Sequence, residues 1–203
     1  MCWQKQLDKS MQQLASENKA PRIAILGIGS DLHCADAAGV MIARVLRQNA
    51  LYSERLLVIN AGIAPENKLG ELRDFGPDLV LIIDAAYMNL EPGSVRFINP
   101  QMIDGLGFST HTLPLRLLYS YITHEICMRV IILGIQPDDV SFQSALSPLV
   151  KESLQAILRA LIMLLQPALQ PAFDYCDQVG FPEQNFFSEA NITCHPPENR
   201  SGR

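Results

Sequence analysis

Three side chains in this sequence could together hold a metal ion: Asp36, Asp84 and His111. Two carboxylate oxygens and one imidazole nitrogen suit a borderline divalent ion with open coordination positions, such as nickel, zinc or iron, and the Irving–Williams order alone does not choose among them. The three come from far-apart segments, so only the fold can bring them together. Each also has an ordinary alternative. Asp36 stands near the start of a helical pattern, where aspartate is a favoured N-cap. Asp84 ends an apolar strand, where Asp is a common turn former, although a carboxylate directly behind Leu81-Ile82-Ile83 sits in unusually apolar company. His111, in Ser109-Thr110-His111-Thr112, could serve as a loop hydrogen-bonding group.

Position in the chain is what gives these residues weight. Arg22 to Gly27 (RIAILG) is a β-rich run ending in glycine, and residues 36–48 then place Val40, Ala43, Val45 and Leu46 at near-helical spacing. Residues 55–60 and 78–84 are further apolar strands, and their lack of alternation predicts burial on both faces. A short strand is expected over 94–98, at the sheet edge, after the turn Glu91-Pro92-Gly93. A helix is expected over 114–126, a strand over 130–135, and a helix from about 148 to 165. Strands alternating with helices predict a three-layer α/β/α fold whose twisted, mostly parallel sheet has five strands, with helices on both faces. In such a sheet ligands gather beyond the carboxyl ends of the strands, where Asp36 and Asp84 fall, with His111 just ahead of the 114–126 helix.

Residues 1–20 read as a polar extension or helix, 21–166 as the α/β domain, and 167–203 as a Pro-rich, loosely packed tail that nevertheless carries Phe173, Tyr175, Phe181, Phe186 and Phe187. Other motifs are weaker. Gly27-Ile28-Gly29 invites a dinucleotide reading, but Leu32 stands where the third glycine belongs, and the second strand ends in Asn60 without an acid to hold a ribose. No Gly-x-Ser-x-Gly elbow occurs. Cys34 beside His33 could be a nucleophile or extra ligand, yet a small loop cysteine is more often inert. Cys194-His195, with Cys176 as its nearest cysteine, falls short of a paired zinc signature.

Composition narrows the classes further. The 203 residues are 48% hydrophobic and 18% charged, which suits one folded domain. A net charge of −5 offers no cationic field for nucleic acid. No apolar run approaches the roughly 20 residues of a membrane span, so no membrane insertion is expected. Five scattered cysteines and an N-terminal segment without an apolar stretch point to a reducing, cytoplasmic setting.

The segments LGIGSDLHCADAAG (26–39), AGIAPEN (61–67), LIIDAAYMNL (81–90), EPGSV (91–95), THTLPL (110–115) and ILGIQPD (132–138) occur in order over residues 22–165. Together they resemble the hydrogenase maturation proteases, most closely the type serving formate-hydrogenlyase (hydrogenase 3). The resemblance implies an endopeptidase that removes the C-terminal extension of a nickel-loaded NiFe-hydrogenase large-subunit precursor, cutting after a basic residue. It implies Asp36, Asp84 and His111 as ligand and catalytic positions. It also implies nickel as the metal, carried by the substrate, with zinc or cadmium able to substitute in crystals; the family is also classed as aspartic-type. The chain departs from the family at Ser30, Ala35 and Ala37, and alanines there favour a helical turn over a glycine-rich one. Two alternatives remain beside it: a non-catalytic, chaperone-like homologue that binds the precursor, and a nucleotide-binding enzyme using Gly27 to Gly29.

Overall fold

The apolar runs assemble into one sheet in the computed structural model, which describes residues 2–30, 34–48, 53–105, 107–108, 114–138 and 146–169. In chain order the first elements are α1 (Trp3–Glu17), β1 (Ile23–Ile28), α2 (Ala38–Gln48), β2 (Leu56–Gly62), α3 (Leu69–Phe75) and β3 (Leu79–Tyr87). There follow β4 (Val95–Phe97), β5 (Gly107–Phe108), α4 (Leu115–Ser120), β6 (Arg129–Ile135) and α5 (Pro148–Leu169). The strands lie in the order β2-β1-β3-β6-β4. The first four are parallel, and β4 closes one edge by antiparallel pairing with β6. This is the expected five-stranded α/β architecture, with the two-residue β5 added against the end of β3.

Period-two alternation sorts the strand residues between two cores. Ile23 and Ile25 of β1, Leu79, Leu81 and Ile83 of β3, and Leu133 and Ile135 of β6 pack with α1, α2 and α5. Ala24, Leu26 and Ile28, then Val80 and Ile82, then Ile132 face the opposite layer, built from Leu72 of α3 and Leu115 and Leu118 of α4. Helices therefore cover both faces, which is why the central strands lack alternation. Along α5, Val150, Leu154, Ile157, Leu158, Leu161 and Leu165 form one buried stripe. The helix runs to Leu169, past the Gln166-Pro167 break expected from sequence. Burial of Leu161 and Leu165 carries it on, against the lost backbone bond and the crowding of the carbonyl four residues back that Pro167 imposes. Leu154 is fully buried, so Leu154→Ala is expected to cost about 2–5 kcal/mol, read as a lowered midpoint in chemical denaturation.

Helix α1 buries Leu7 and Leu14 against the first core and is fastened at the amino ends of the strands. Arg129 Nη2 donates to Glu17 Oε2 at 2.8 Å, and this bond holds the Glu17 carboxyl below its ordinary range. Asn18 Nδ2 and the Arg22 amide both donate to Asp78 Oδ2, at 3.1 and 2.7 Å. These anchors leave the opposite end of the sheet, the carboxyl rim, to the candidate site. The tail expected from residue 167 lies outside the described residues beyond Leu169.

Candidate functional site

Chain order places the site before any side chain is considered. From β1 the chain first moves to one side, to β2, and then to the other side, to β3. The reversal opens a crevice between the carboxyl ends of β1 and β3, the position at which α/β sheets bind ligands.

Asp36 is delivered to that crevice by close backbone packing. After β1, Gly29 adopts φ 137°, and a Cβ there would stand 1.9 Å from the Asp36 carbonyl oxygen. Only glycine allows this approach. The Ser30 amide donates to the same carbonyl at 3.1 Å, and the Gly29 amide donates to Gly62 at the end of β2, at 3.0 Å. Cys34 to Asp36 form a single 3-10 turn that rests against β3, and α2 begins at Ala38. Asp36 therefore precedes the cap position, which Ala37 occupies. In the first turn of α2, a Cβ on Gly39 would lie 2.1 Å from the Ile83 carbonyl oxygen and 2.4 Å from that of Ile28. The helix start is thus wedged between the ends of β1 and β3.

Asp84 immediately follows Ile83. It does not end its strand, as the sequence suggests, because β3 continues to Tyr87: Ala85 still pairs with Ile135, and Ala86 and Tyr87 pair with Phe108 and Gly107. Asp84 is completely buried. By alternation it continues the row of Val80 and Ile82 that faces α3 and α4. Its neighbour on β6 is Gly134, which has no side chain to crowd the carboxylate from that side. Oδ2 of Asp36 and Oδ2 of Asp84 are both shielded from solvent. The donor chemistry of two such oxygens on either side of a crevice fits a divalent cation.

His111 lies outside the described residues. The last described residue before it is Phe108, held opposite Ala86, and the next after it is Pro114, at the mouth of α4. Among the described residues no group of three His, Cys, Asp or Glu side chains could hold a metal ion. One residue to which the sequence assigned no role is Glu66. It lies in the 3-10 turn after β2, and its Oε2 is shielded from solvent without a hydrogen-bond partner among the described residues. In the sequence Glu66 appears only within the segment AGIAPEN, with no role attached to it.

The remaining candidates add no side chain to the crevice or lie outside the described residues. Gly27 and Gly29 do not line a phosphate cradle, because protein backbone fills the space beside both: a Cβ on Gly27 would stand 2.2 Å from the Gly39 carbonyl oxygen. The glycines serve helix-to-strand contact. His33, Cys176, Cys194 and His195 lie outside the described residues, as does the Cys34 side chain.

The family model for HycI, hydrogenase maturation protease, matches residues 40–164 of the chain. The hydrogenase 3 maturation protease of Escherichia coli (strain K12) is 33% identical over 138 residues, which are 68% of this chain and 86% of that one. The chain belongs to the hydrogenase maturation protease family. Solved structures agree with this assignment. The crystal structure of a NiFe-hydrogenase maturation protease, HycI, from Thermococcus kodakarensis KOD1 is similar with a TM-score of 0.66 and 30% identity, over 77% of this chain and 99% of that one. The hydrogenase maturating endopeptidase HybD from E. coli, at 20% identity and a TM-score of 0.53 over 71% of this chain and 92% of that one, shares the fold. In this member of the hydrogenase maturation protease family, Ala35 lies with Asp36 in the 3-10 turn, and Ala37 follows, buried, directly before α2.

Proposed function

We propose that this protein is an endopeptidase that removes the C-terminal extension from the nickel-loaded large-subunit precursor of a NiFe hydrogenase, and that Asp36, Asp84 and His111 engage the nickel carried by that precursor. The observation that carries the reading is the pair of solvent-shielded carboxylate oxygens, Asp36 Oδ2 and Asp84 Oδ2, on segments that meet at the crevice between β1 and β3. Support for His111 as the third ligand comes from β5, which ties the chain three residues before it to the strand two residues past Asp84. The relatives, which are maturation proteases of NiFe hydrogenases, point to the substrate class.

The residues perform three tasks in this reading. The carboxylates, with His111, hold the precursor by its own metal, so that only loaded precursor is positioned for cutting. Held there, nickel supplies Lewis acidity at the scissile carbonyl. An aspartate oxygen within reach of a water serves as the base that takes its proton as it attacks. Burial of Asp84 keeps bulk water out, which strengthens every charge interaction in the crevice. A metal borne by the substrate also makes selectivity a property of loading. The free thiols Cys2 and Cys127 fit a reducing, cytoplasmic setting. Among the described residues no helix is long and apolar enough to cross a membrane.

Incubation of the protein with a purified hydrogenase 3 large-subunit precursor, followed by intact-mass spectrometry, tests the reading. Loss of one C-terminal segment from nickel-loaded precursor, and none from nickel-free precursor, is the expected result. A precursor that binds the protein and stays full length would replace the endopeptidase with a chaperone-like binder.

A further inference from the structure

The turn that joins β3 to β4 begins four residues past Asp84, on the same rim, and is fastened more heavily than a surface turn requires. Gln136, directly after β6, is only 5% exposed. Its Oε1 accepts from the Met88 amide at 2.7 Å and from the Leu90 amide at 3.3 Å, while its Nε2 donates to the Pro137 carbonyl at 3.3 Å. Its backbone repeats the grip, since the Gln136 amide donates to Ser94 at 2.8 Å and its carbonyl accepts from the Gly93 amide at 2.9 Å. From the opposite side, Ser153 Oγ of α5 donates to the Gly93 carbonyl at 2.6 Å. Gly93 sits at φ 81°, with space for a Cβ only 2.6 Å from the Leu149 carbonyl oxygen.

The residue enclosed by the two side-chain bonds is Asn89, exposed and held at φ 55°. Strained backbone persists where its surroundings over-determine it, and such positions concentrate at functional sites. A turn with no task on its outer face is normally left loose. Here the outer face presents exposed Asn89 two residues from exposed Tyr87 (47%). An exposed amide beside an exposed aromatic ring suits an extended peptide, since the amide can hydrogen-bond its backbone while the ring packs against its side chains.

We propose that Gln136 is a positioning residue that sets Tyr87–Ser94 as a rigid ledge on which the precursor's C-terminal extension lies while its scissile bond enters the crevice. This rests on the endopeptidase reading above, and adds to it the surface that holds the peptide. The geometry gives the ledge a binding role, so its loss weakens capture of the peptide and leaves the bond-breaking step alone.

Amide hydrogen exchange of the protein alone, and steady-state cleavage of nickel-loaded hydrogenase 3 precursor, test the proposal on Gln136→Leu, Gln136→Glu and Ser153→Ala. In Gln136→Leu the Met88 and Leu90 amides should exchange at least about tenfold faster while Ile82 and Ile132 stay protected; KM should rise about tenfold with kcat within about threefold of wild type. Gln136→Glu, which keeps an acceptor oxygen in place, should restore both readouts. Ser153→Ala unties the far end and should raise KM about threefold, and it carries the test if Gln136→Leu loses protection at Ile82. Faster exchange at Met88 and Leu90 with unchanged KM would make Gln136 a structural fastener only and overturn the proposal. A fall in kcat at constant KM would overturn it as well. Failure of wild-type protein to shorten the precursor would overturn the endopeptidase reading and the ledge's role together, with the exchange result still reporting the clamp itself.

Discussion

Asp84→Asn is expected to abolish shortening of the precursor, with a loss of about a thousandfold or more in cleavage rate, the scale on which a positioned acid–base or metal-engaging group contributes. Asparagine has the same shape but carries no charge, so it weakens the grip on a divalent ion and cannot take a proton from water. The site is completely buried, and the new amide brings two donors that need partners, which sets a stability cost of about 1–3 kcal/mol. The variant should therefore unfold somewhat earlier on heating and remain folded at the temperature of the assay. Asp84→Ala should be equally inactive and still folded. Single-turnover cleavage followed by mass spectrometry, with thermal unfolding in parallel, separates the two effects. Activity within tenfold of wild type would remove Asp84 from the reaction.

Gly39→Ala should lower stability by about 3 kcal/mol or more. The added methyl would meet the Ile83 carbonyl at 2.1 Å, the Ile28 carbonyl at 2.4 Å and the Ile28 amide nitrogen at 2.8 Å. All three are backbone atoms of central strands, so none can swing aside as a side chain would. Helix α2 must lift from the sheet, and the segment bearing Asp36 moves away from Asp84 with it. Chemical denaturation reads the first consequence and precursor cleavage the second. A Gly39→Ala protein of wild-type stability would contradict the wedge at the ends of β1 and β3.

The contrast between Gly39 and the strands shows what local sequence can and cannot convey. Runs such as Leu79 to Ile83 declare buried strands because two covered faces leave no alternation. The βα order then fixes a mostly parallel sheet, and with it a crevice flanked by Asp36 and Asp84. Three features depend on contacts between distant segments and leave no local trace. The continuation of β3 to Tyr87 needs pairing with β5 and β6, and Asp84-Ala85-Ala86 alone reads as a strand ending. Gly27 and Gly29 resemble a nucleotide loop until the backbone that fills their space is seen. Gln136 bonds amides 46 and 48 residues away, and nothing in Ile135-Gln136-Pro137 announces it. The short α3 also escaped notice, being a seven-residue helix with Gly70 inside it.

Everything proposed for catalysis depends on one ion being shared by groups from three separate segments. Crystals of the protein soaked in nickel, with diffraction recorded across the nickel absorption edge, test this directly. The expected result is one anomalous peak in the β1–β3 crevice, with an oxygen of Asp36, an oxygen of Asp84 and a ring nitrogen of His111 each about 2.0–2.2 Å away. Nickel bound elsewhere, or His111 too distant from the two carboxylates to reach a common ion, would contradict the proposed site.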